Sequence, residues 1–430
     1  YQKQRGDCLD CIEVKKNVPV KGSYDIIVAG GGVSGVAAAV SASRMGKKVL
    51  LIEKTICLGG LATIGLINLF VPLCNGRGVQ IIKGMAEELL QLSVKYGYDT
   101  IPDCWKNGNP TKDGPRYVTR YSVPIFVLAL TEFIKSEGVS ILYDSVVSDV
   151  AMEGSQVKGV VVVNKSGFEY YTAGMFVDAT GDGDLMVQAG VPTVQGRNFH
   201  TFMMHGADTE MCKKAAESGD LGNLQHWASG GNANLYGGGH PEGKPYWLGT
   251  NSKDVTNYVV ENHIEALNKL KNDKDKAARD ILRIPTMPQF RTTRHIDGNY
   301  TLKEADTYRH FDDSVGAICD FDRRDFLYEI PFGTLVRDGF GNIITAGRSA
   351  AGEGYAWDVL RVIPPAIISG QAAGVACALA IDEKKPVYGT DIKMLQKTLT
   401  AQNVMIHFDD GLVPKAGEEI TVQESNMEHF

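Results

Sequence analysis

The chain has 430 residues, a formal net charge of −7 and 8 cysteines. This length accommodates two domains, while the negative charge argues against nucleic acid or an anionic membrane as a general partner. So few cysteines argue against a disulfide scaffold. Because the chain begins at Tyr1 rather than Met, we expect an N-terminal segment to be missing. A cytoplasmic location is favoured, and export stays open.

Residues 1–22 are predicted to form a polar N-terminal arm. Cys8 and Cys11 have the C-x-x-C spacing, but no second cysteine pair nearby completes a structural zinc site. The pair also lies outside any βαβ unit, so two ordinary thiols or one local disulfide are expected. The sequence predicts no metal site.

A glycine-rich turn follows the first predicted strand, Asp25–Ala29. Gly30, Gly32 and Gly35 fit the pattern G-x-G-x-x-G, and a small-residue helix is predicted over Val33–Arg44. In this pattern the glycines permit a tight turn, the approach of a pyrophosphate and close packing of helix on strand. The N–H groups at the helix N-terminus would bind a phosphate.

A second predicted strand, Lys48–Ile52, ends at Glu53, 23 residues after Gly30. In dinucleotide-binding proteins an acidic residue in this place accepts the ribose hydroxyl groups of the adenosine. Strand, glycines, helix, strand and acid occur in the expected order. The sequence therefore predicts a dinucleotide site, with a purely structural glycine turn as the weaker alternative.

The rest of the first half alternates predicted helices and strands. Hydrophobic spacing predicts helices over Lys83–Tyr96 and Val123–Ser136. Strands are predicted over Ile141–Val150, Val157–Asn164, Phe168–Ala173 and Met175–Ala179. The last of these runs into the segment V-D-A-T-G-D-G-D.

Composition changes after Val191, where histidines and long glycine loops become frequent. A strand is predicted over Thr201–Gly206, with Thr201, Met203 and His205 on one face. A charged helical stretch is predicted over Asn257–Leu282. This region is predicted to be a second domain inserted into the first.

From Leu327 the earlier character returns, with a predicted strand over Gly341–Ala346 and an alanine-rich helix from Pro364 to about Ile381. The uncharged stretches 26–43 and 362–381 are interpreted as buried parts of an α/β domain rather than membrane spans. The predicted parts are an arm (1–22), a nucleotide-binding domain in two pieces (23–190 and 327–382), an inserted substrate domain (191–326) and a peripheral C-terminal segment (383–430).

Three segments together resemble a known family: G-G-G-V-S-G with Glu53, V-D-A-T-G-D-G-D, and I-I-T-A-G-R-S-A-A with R-V-I-P-P-A-I-I-S-G-Q-A-A-G. They are similar to FAD-dependent oxidoreductases of the glutathione-reductase-like superfamily. The closest similarity is to the branch called simply FAD-dependent oxidoreductase, which has xanthan-lyase-associated relatives. The resemblance covers nearly all of Tyr24–Ile381. It implies an α/β fold, with a Rossmann-like FAD-binding domain of parallel sheet plus antiparallel β meander and an inserted α+β substrate domain.

The resemblance also implies which residues contact FAD. The pyrophosphate would lie at the first glycines, the ribose at Glu53, the adenine at the backbone of Val147, and the flavin pyrimidine edge at the helix start near Arg361. The implied contacts are Gly30, Gly32, Val33, Ser34, Gly35, Glu53, Lys54, Gly59, Gly60, Leu61, Ala62, Thr63, Val147, Ala179, Thr180, Gly181, Asp182, Gly347, Arg348, Arg361, Val362 and Ile363.

Five residues are candidates for catalysis because a flavin enzyme must orient its substrate and move a proton. These are Arg291, Arg294, His295, His205 and Arg361, predicted to line one pocket over the flavin. In the related motif His295 stands where another arginine is usual, and Thr292 where an acid is usual. The alternative for the arginines is a structural ion pair with Asp306, Asp312 or Asp313, and for each histidine an ordinary hydrogen-bonded position.

The leading functional hypothesis is an FAD enzyme that oxidises or reduces a C–H or C=C bond of a small polar substrate, anionic or neutral. There are two alternatives. One is a flavoprotein whose flavin serves group transfer or tRNA modification, and the other is a non-enzymatic FAD-binding module. No second nucleotide-binding turn is present in the sequence, so a built-in NAD(P)H domain is not expected. The electron donor or acceptor is not identified, and a homo-oligomer stays open.

Overall fold

The strands and helices of the protein are described by a computed structural model that covers residues 14–224, 226–234 and 237–415. Cys8 and Cys11 lie outside these residues. The strands are β1 (Val20–Ala29), β2 (Val49–Ile52), β3 (Leu69–Phe70), β4 (Thr119–Arg120), β5 (Ser140–Leu142), β6 (Val146–Glu153), β7 (Gln156–Asn164), β8 (Gly167–Asp178), β9 (Thr193–Gln195), β10 (Thr201–Asp208), β11 (His226–Asn232), β12 (Arg279–Arg283), β13 (Arg294–Ile296), β14 (Ser314–Cys319), β15 (Leu327–Pro331) and β16 (Ile343–Thr345).

The α-helices among the same residues range from one turn to six turns. They are α1 (Val33–Arg44), α2 (Met85–Val94), α3 (Asp103–Lys106), α4 (Val123–Ser136), α5 (Asp184–Gln188), α6 (Thr209–Ser218), α7 (Ser252–Lys271), α8 (Gly354–Arg361), α9 (Ile363–Glu383) and α10 (Ile392–Ala401).

A seven-stranded sheet positions the rest of the first domain. Its order is β5-β2-β1-β8-β7-β6, and β16 pairs with the second half of β8. Strands β5, β2, β1, β8 and β16 are mutually parallel, whereas β8, β7 and β6 form an antiparallel meander. This arrangement confirms the predicted α/β class. Because parallel strands end at one edge, Ala29, Ile52, Asp178 and Thr345 lie together at the carboxyl edge of the sheet.

Two boundaries in this sheet differ from the prediction. The segment predicted as one strand, 141–150, is divided between β5 and β6, with Tyr143–Ser145 outside both strands. The two strands predicted over 168–179 are one continuous strand, β8. Gly174 does not interrupt it, because β8 keeps its parallel register with β1 on both sides of this glycine.

Helices α1 and α9 pack against each other on one face of the sheet. Side chains at Gly370 and Gly374, one turn apart in α9, would overlap the carbonyl oxygens of Ser34 and Ala38 in α1. The glycines therefore permit the backbones to touch. Helix α9 is long and apolar enough to cross a membrane, but 94% of its apolar window is buried inside the protein, as in a core helix.

A three-stranded antiparallel sheet, in the order β11-β10-β12, lies outside the main sheet and is accompanied by α7. The predicted helix over 257–282 is wrong at its end. Helix α7 stops at Lys271, and Arg279–Arg283 is the strand β12, paired with β10. The turn between them contains Asn272, which caps the helix, and Asp273, which binds Arg279 through a hydrogen bond of 2.6 Å.

The described residues after Asp382, 383–415, are not peripheral, in contrast to the prediction. Helix α10 packs against α9 and β14, and Leu395 and Leu399 are fully buried in the main hydrophobic core. Phe408, beyond the helix, is 3% exposed in the same core. The sequence of α10 is short and half polar, so its apolar stripe is a weak signal without knowledge of the surface that covers it.

This burial predicts a clear difference between two neighbouring positions of α10. Leu395→Ala removes a fully buried side chain and should lower the free energy of unfolding by about 2–4 kcal/mol. Met394→Ala, at a position 42% exposed on the same helix, should change it by less than about 0.5 kcal/mol. Thermal or denaturant unfolding compares the two variants, and equal small effects would mean that the segment is peripheral after all.

Candidate functional site

A cavity of about 620 Å³ opens at the carboxyl edge of the parallel strands. Its wall includes the ends of β1, β2 and β8, the first turn of α1 and the start of α9. Further lining residues come from β10 and from the segment that precedes β13. Ligands of open α/β sheets bind at this edge, so the topology and the cavity identify the same place.

The glycine turn after β1 has the conformation that its sequence pattern predicts. Gly30 has φ +103°, a value that favours glycine, and a side chain there would also collide with the backbone of Ala179. A side chain at Gly35 would overlap the carbonyl oxygen of Gly30, so Gly35 permits α1 to begin close to the strand. These two glycines shape the turn.

Gly32 differs from these two glycines because no other part of the chain that the structure describes packs against the place where its side chain would be. Its φ is −64°, an ordinary value that any residue adopts, so backbone conformation does not require a glycine here. No atom of the described residues lies within 4 Å of where a side-chain methyl at Gly32 would be. Gly32 is the N-cap of α1 and lines the cavity, so the free space lies at the helix N-terminus, where an anion is stabilised.

Glu53 follows β2 and is 6% exposed in the cavity wall. Its Oε2 accepts the N–H of Gly31 at 2.7 Å, and its Oε1 accepts both the N–H and the hydroxyl of Thr55 at 2.8 Å. The carboxylate therefore braces the glycine turn as well as facing the cavity. An ionised carboxylate has about four acceptor positions, which leaves capacity for a ribose hydroxyl.

Most of the residues predicted to contact FAD line this cavity. They are Gly30, Gly32, Val33, Ser34, Glu53, Lys54, Gly59, Gly60, Leu61, Ala62, Val147, Ala179, Thr180, Gly181, Arg348, Arg361, Val362 and Ile363. Gly35, Thr63, Asp182 and Gly347 are placed behind the wall. Thr63 is fully buried and donates its hydroxyl to Leu58 O, and a side chain at Gly347 would meet the hydroxyl of Ser34.

The carboxylate of Asp182 joins three segments that are far apart in the sequence. Its Oδ1 lies 2.5 Å from Arg348 Nη2 and accepts the hydroxyl of Thr293 at 2.6 Å. Arg348 further donates to Gly181 O at 2.8 Å and to Phe290 O at 2.6 Å. The segment after β8, the segment after β16 and the segment before β13 are thereby held at one point.

The charge of Asp182 is maintained in this partly buried place. Burial by itself would raise the pKa of its carboxyl, but the positive charge of Arg348 and the hydrogen bond from Thr293 outweigh burial and lower the pKa. Asp184, two residues further, has its pKa raised by burial and by the charge of Asp182. An ionised Asp182 is therefore the stable partner of Arg348.

The structure brings together two of the five residues predicted to be catalytic. Arg291 and Arg361 both line the cavity. Arg361 Nε donates to Asp358 at 2.8 Å, and its Nη2 also binds this carboxylate. Arg291 donates from Nη1 to the backbone oxygen of Asn234 at 3.1 Å, and its own N–H donates to Asn198.

The other three predicted catalytic residues lie outside the cavity wall. Arg294 binds the carboxylate of Asp184 at 2.5 Å and the backbone oxygen of Asp182. It therefore forms a structural ion pair, but with Asp184 and not with Asp306, Asp312 or Asp313. His295 is 4% exposed, with its ring edge-on to Trp357 at 4.6 Å between centroids. Fully buried His205 lies with Nε2 2.9 Å from Leu66 O. Thr201 and Met203, on the same face of β10 as His205, do reach the cavity.

Arg291 and Arg361 give this part of the wall a positive charge. Burial and then the neighbouring charge of Arg361 lower the pKa of Arg291 to about 10, so it stays protonated at neutral pH. The pair carries two positive charges beside one carboxylate, that of Asp358. An anionic group in the cavity would supply the missing negative charge.

Several lining residues were not predicted from the sequence. They are Ile64, Ile67, Leu69, Val71, Asp184, Gln188, Thr201, Met203, Ala233, Asn234, Gly238, Met287, Gln289, Phe321 and Asp322. Most lie in loops with no recognised motif. The amide of Gln289 hydrogen-bonds both backbone groups of Met203 and donates to Gly65 O, and this cross-chain role leaves no local signal in the sequence.

The residues of the cavity fit FAD. Gly32 offers free space at a helix N-terminus for a pyrophosphate, and Glu53 offers acceptors for a ribose. The wall continues past Thr180 and Gly181 to the start of α9, whose N-terminal Val362 and Ile363 line the cavity. A site for one phosphate alone would not need a wall that runs through all of these segments.

Comparison with known proteins agrees with this geometry. The sequence profile of the family described as FAD dependent oxidoreductase matches residues 25–217 and 246–399. These two ranges contain the glycine turn, the Asp182 network and the start of α9.

The solved structures that match this chain are distant from it in sequence. A geranylgeranyl bacteriochlorophyll reductase-like protein from Thermoplasma acidophilum is 14% identical over 89% of this chain and 84% of its own, with a TM-score of 0.42. A p-nitrophenol 4-monooxygenase from Pseudomonas putida is 12% identical over 91% of this chain and 91% of its own, with a TM-score of 0.43. An L-proline dehydrogenase from P. horikoshii is 15% identical over 89% of this chain and 99% of its own, with a TM-score of 0.41. Similarity at this level does not identify a substrate.

Gly32→Val tests the phosphate position in the glycine turn. A Cβ atom at position 32 meets no described atom beyond its chain neighbours, and the φ is ordinary, so the protein should fold. The valine would occupy the free space at the helix N-terminus. We expect flavin binding to weaken at least about tenfold, or about 1.4 kcal/mol, as measured by flavin absorbance per chain after reconstitution.

Gly35→Ala is the contrasting variant, because its side chain overlaps the backbone of Gly30 and should lower the melting temperature itself. Glu53→Ala removes the bracing of Gly31 and Thr55 in addition to ribose contacts, so its loss should exceed that of a ribose contact alone. Full flavin occupancy in a folded Gly32→Val protein would contradict the assignment of this turn.

Proposed function

This chain belongs to the FAD-dependent oxidoreductase family, and we propose that it transfers a hydride between the flavin and a C–H or C=C bond of a small polar substrate held through an oxyanion. It is an enzyme, and FAD is its cofactor. When bound, FAD supplies the two-electron transfer itself. The protein must then bind and orient the substrate and handle one proton.

The observation that carries the proposal is the pair Arg291 and Arg361 in the cavity wall. One carboxylate, Asp358, lies beside both positive charges, and the described side-chain hydrogen bond of Arg291 goes to a neutral carbonyl. A planar guanidinium matches a carboxylate or another oxyanion with two parallel donors. Arg291 would thus fix both the position and the rotation of an anionic substrate.

The arginines orient the substrate and do not move its proton, because even a pKa lowered to about 10 keeps Arg291 charged at neutral pH. Among the residues that the structure describes, no histidine lines the cavity. The carboxyl of Asp322, 2% exposed in the same wall, is therefore our candidate for exchanging the proton.

The predicted division of the chain supports the same proposal. We propose that residues 191–326 form the substrate domain, because Thr201, Met203, Asn234, Gln289 and Arg291 all come from this range and line the cavity.

We also propose a finer position for the chain within its family, in the glutathione-reductase-like superfamily and near its xanthan-lyase-associated branch. This position rests on the three motif segments of the sequence. A small-molecule substrate and a separate electron donor or acceptor complete the proposal.

Anaerobic photoreduction of the bound flavin, followed by a panel of small metabolites, tests the reaction class. A metabolite that reoxidises the flavin, or reduces the oxidised form, supports net substrate redox chemistry. A flavin that responds to none of them would contradict the proposed reaction class.

Arg291→Gln should weaken the binding of small carboxylates about 10–100-fold, because a charge-assisted hydrogen bond contributes about 1.5–3 kcal/mol. Titration of the oxidised protein with a panel of carboxylates, followed by the flavin difference spectrum, measures this affinity. Flavin content should be unchanged.

Arg294→Ala is the comparison variant, since Arg294 lies three residues away and does not itself line the cavity, although its partner Asp184 does. It should lower the melting temperature and leave carboxylate affinity and flavin reduction rate nearly unchanged. The opposite pattern, normal affinity in Arg291→Gln and lost affinity in Arg294→Ala, would move the substrate site to the segment that Arg294 occupies.

A further inference from the structure

We propose that His310, Glu329 and His407 form a binding site for a divalent metal ion of the zinc type, separate from the flavin cavity. One potential ligand atom of each residue lies within 4.8 Å of the others. His310 Nδ1 is 2.6 Å from Glu329 Oε1, and His407 Nδ1 is 3.1 Å from both carboxylate oxygens. None of the three residues lines the flavin cavity.

Two imidazoles and one carboxylate are a donor set that suits Zn²⁺. Ligand atoms around a tetrahedral zinc ion lie about 3.3 Å apart. The two histidine–carboxylate separations, 2.6 and 3.1 Å, need to widen only slightly, and the two histidine ligand atoms lie within 4.8 Å of each other. Binding would displace the hydrogens now shared between the Nδ1 atoms and the carboxylate. Water would take the fourth position.

The surroundings of the three ligands resemble the outer shell of a metal site. Histidine ligands usually donate their second ring N–H to a carboxylate, which fixes the tautomer. His310 Nε2 lies 2.9 Å from Asp410 Oδ1, so this N–H has its acceptor while Nδ1 faces the site. The second carboxylate oxygen of Glu329 accepts the N–H of Phe311 at 2.8 Å, which fixes the orientation of this ligand.

Burial also distinguishes this group from a surface ion pair. The side chain of Glu329 is 0% exposed, whereas those of His310 and His407 are 38% and 45% exposed. The carboxylate thus lies at the bottom of a shallow site, with two imidazoles at its rim that an ion can reach. A buried carboxylate is costly unless cations or hydrogen bonds compensate it, and a divalent metal ion bound directly to Glu329 would be such a cation.

The position of the ligands indicates what such an ion would do. Glu329 is on β15 and His310 precedes β14, whereas His407 follows α10. An ion bound by all three would connect the segment after α10 to this hairpin. It would stabilise the folded chain without taking part in flavin chemistry.

Calorimetric titration of the chelator-treated, FAD-loaded full chain with ZnCl₂ tests the proposal. His407→Gln, at a half-exposed position, should fold normally and bind one zinc ion fewer per chain than the unmodified protein. Saturating zinc should raise the melting temperature of the unmodified protein by about 3 °C and that of the variant by clearly less.

His263→Gln is the matched control, because His263 is exposed on α7 and away from the site. Zinc bound elsewhere, including by Cys8 and Cys11, is common to all three proteins and cancels in the comparison. Equal zinc stoichiometry in the unmodified protein and in His407→Gln, or loss of the same ion in His263→Gln, would overturn the proposal.

Discussion

The ion pair between Arg348 and Asp182, whose side chains are 9% and 20% exposed, is the interaction on which the rest of the site depends. Asp182 follows β8 and Arg348 follows β16, and Arg348 reaches on to the backbone oxygen of Phe290. Phe290 immediately precedes Arg291, so Arg348 attaches the segment that carries the proposed substrate arginine to the segment after β8. Removing either partner would leave the other charge in this partly buried place without its ion-pair partner, which destabilises a folded protein.

A second constraint fixes the opposite side of the cavity. Gly370 and Gly374 let α9 lie against the backbone of α1, and this contact sets where α9 begins. The N-termini of both helices consequently line the same cavity, α1 at Gly32 and α9 at Val362. Each helix contributes the positive end of its dipole to a site that accepts a negatively charged cofactor.

The parts of the fold that follow from local sequence were predictable. Helices Val33–Arg44 and Val123–Ser136 have the predicted bounds because small-residue packing in one and apolar periodicity in the other are visible in the chain itself. Strand β12 was predicted as helix, since its charged sequence gives no strand signal until β10 is beside it. The burial of α10 likewise depends on a surface formed by α9 and β14.

In the site, too, only the residues that belong to local sequence motifs were predictable. Its cofactor wall follows motifs with fixed spacing, and most of those residues do line the cavity. The R-T-T-R-H cluster gave no means of telling Arg291, which faces the cavity, from Arg294, which faces Asp184. The proposed metal ligands His310, Glu329 and His407 come from three separate segments, so their spacing in the sequence matches no metal-binding motif.

The central claim of this account is that the cavity binds one complete FAD per chain. The most direct measurement is to denature the purified, reconstituted protein, identify the released cofactor by mass spectrometry and determine its ratio to the chain. The account predicts FAD at one per chain, either released or, if it is covalently attached, retained on the denatured polypeptide. FMN in its place, or no flavin after reconstitution with FAD, would contradict the account.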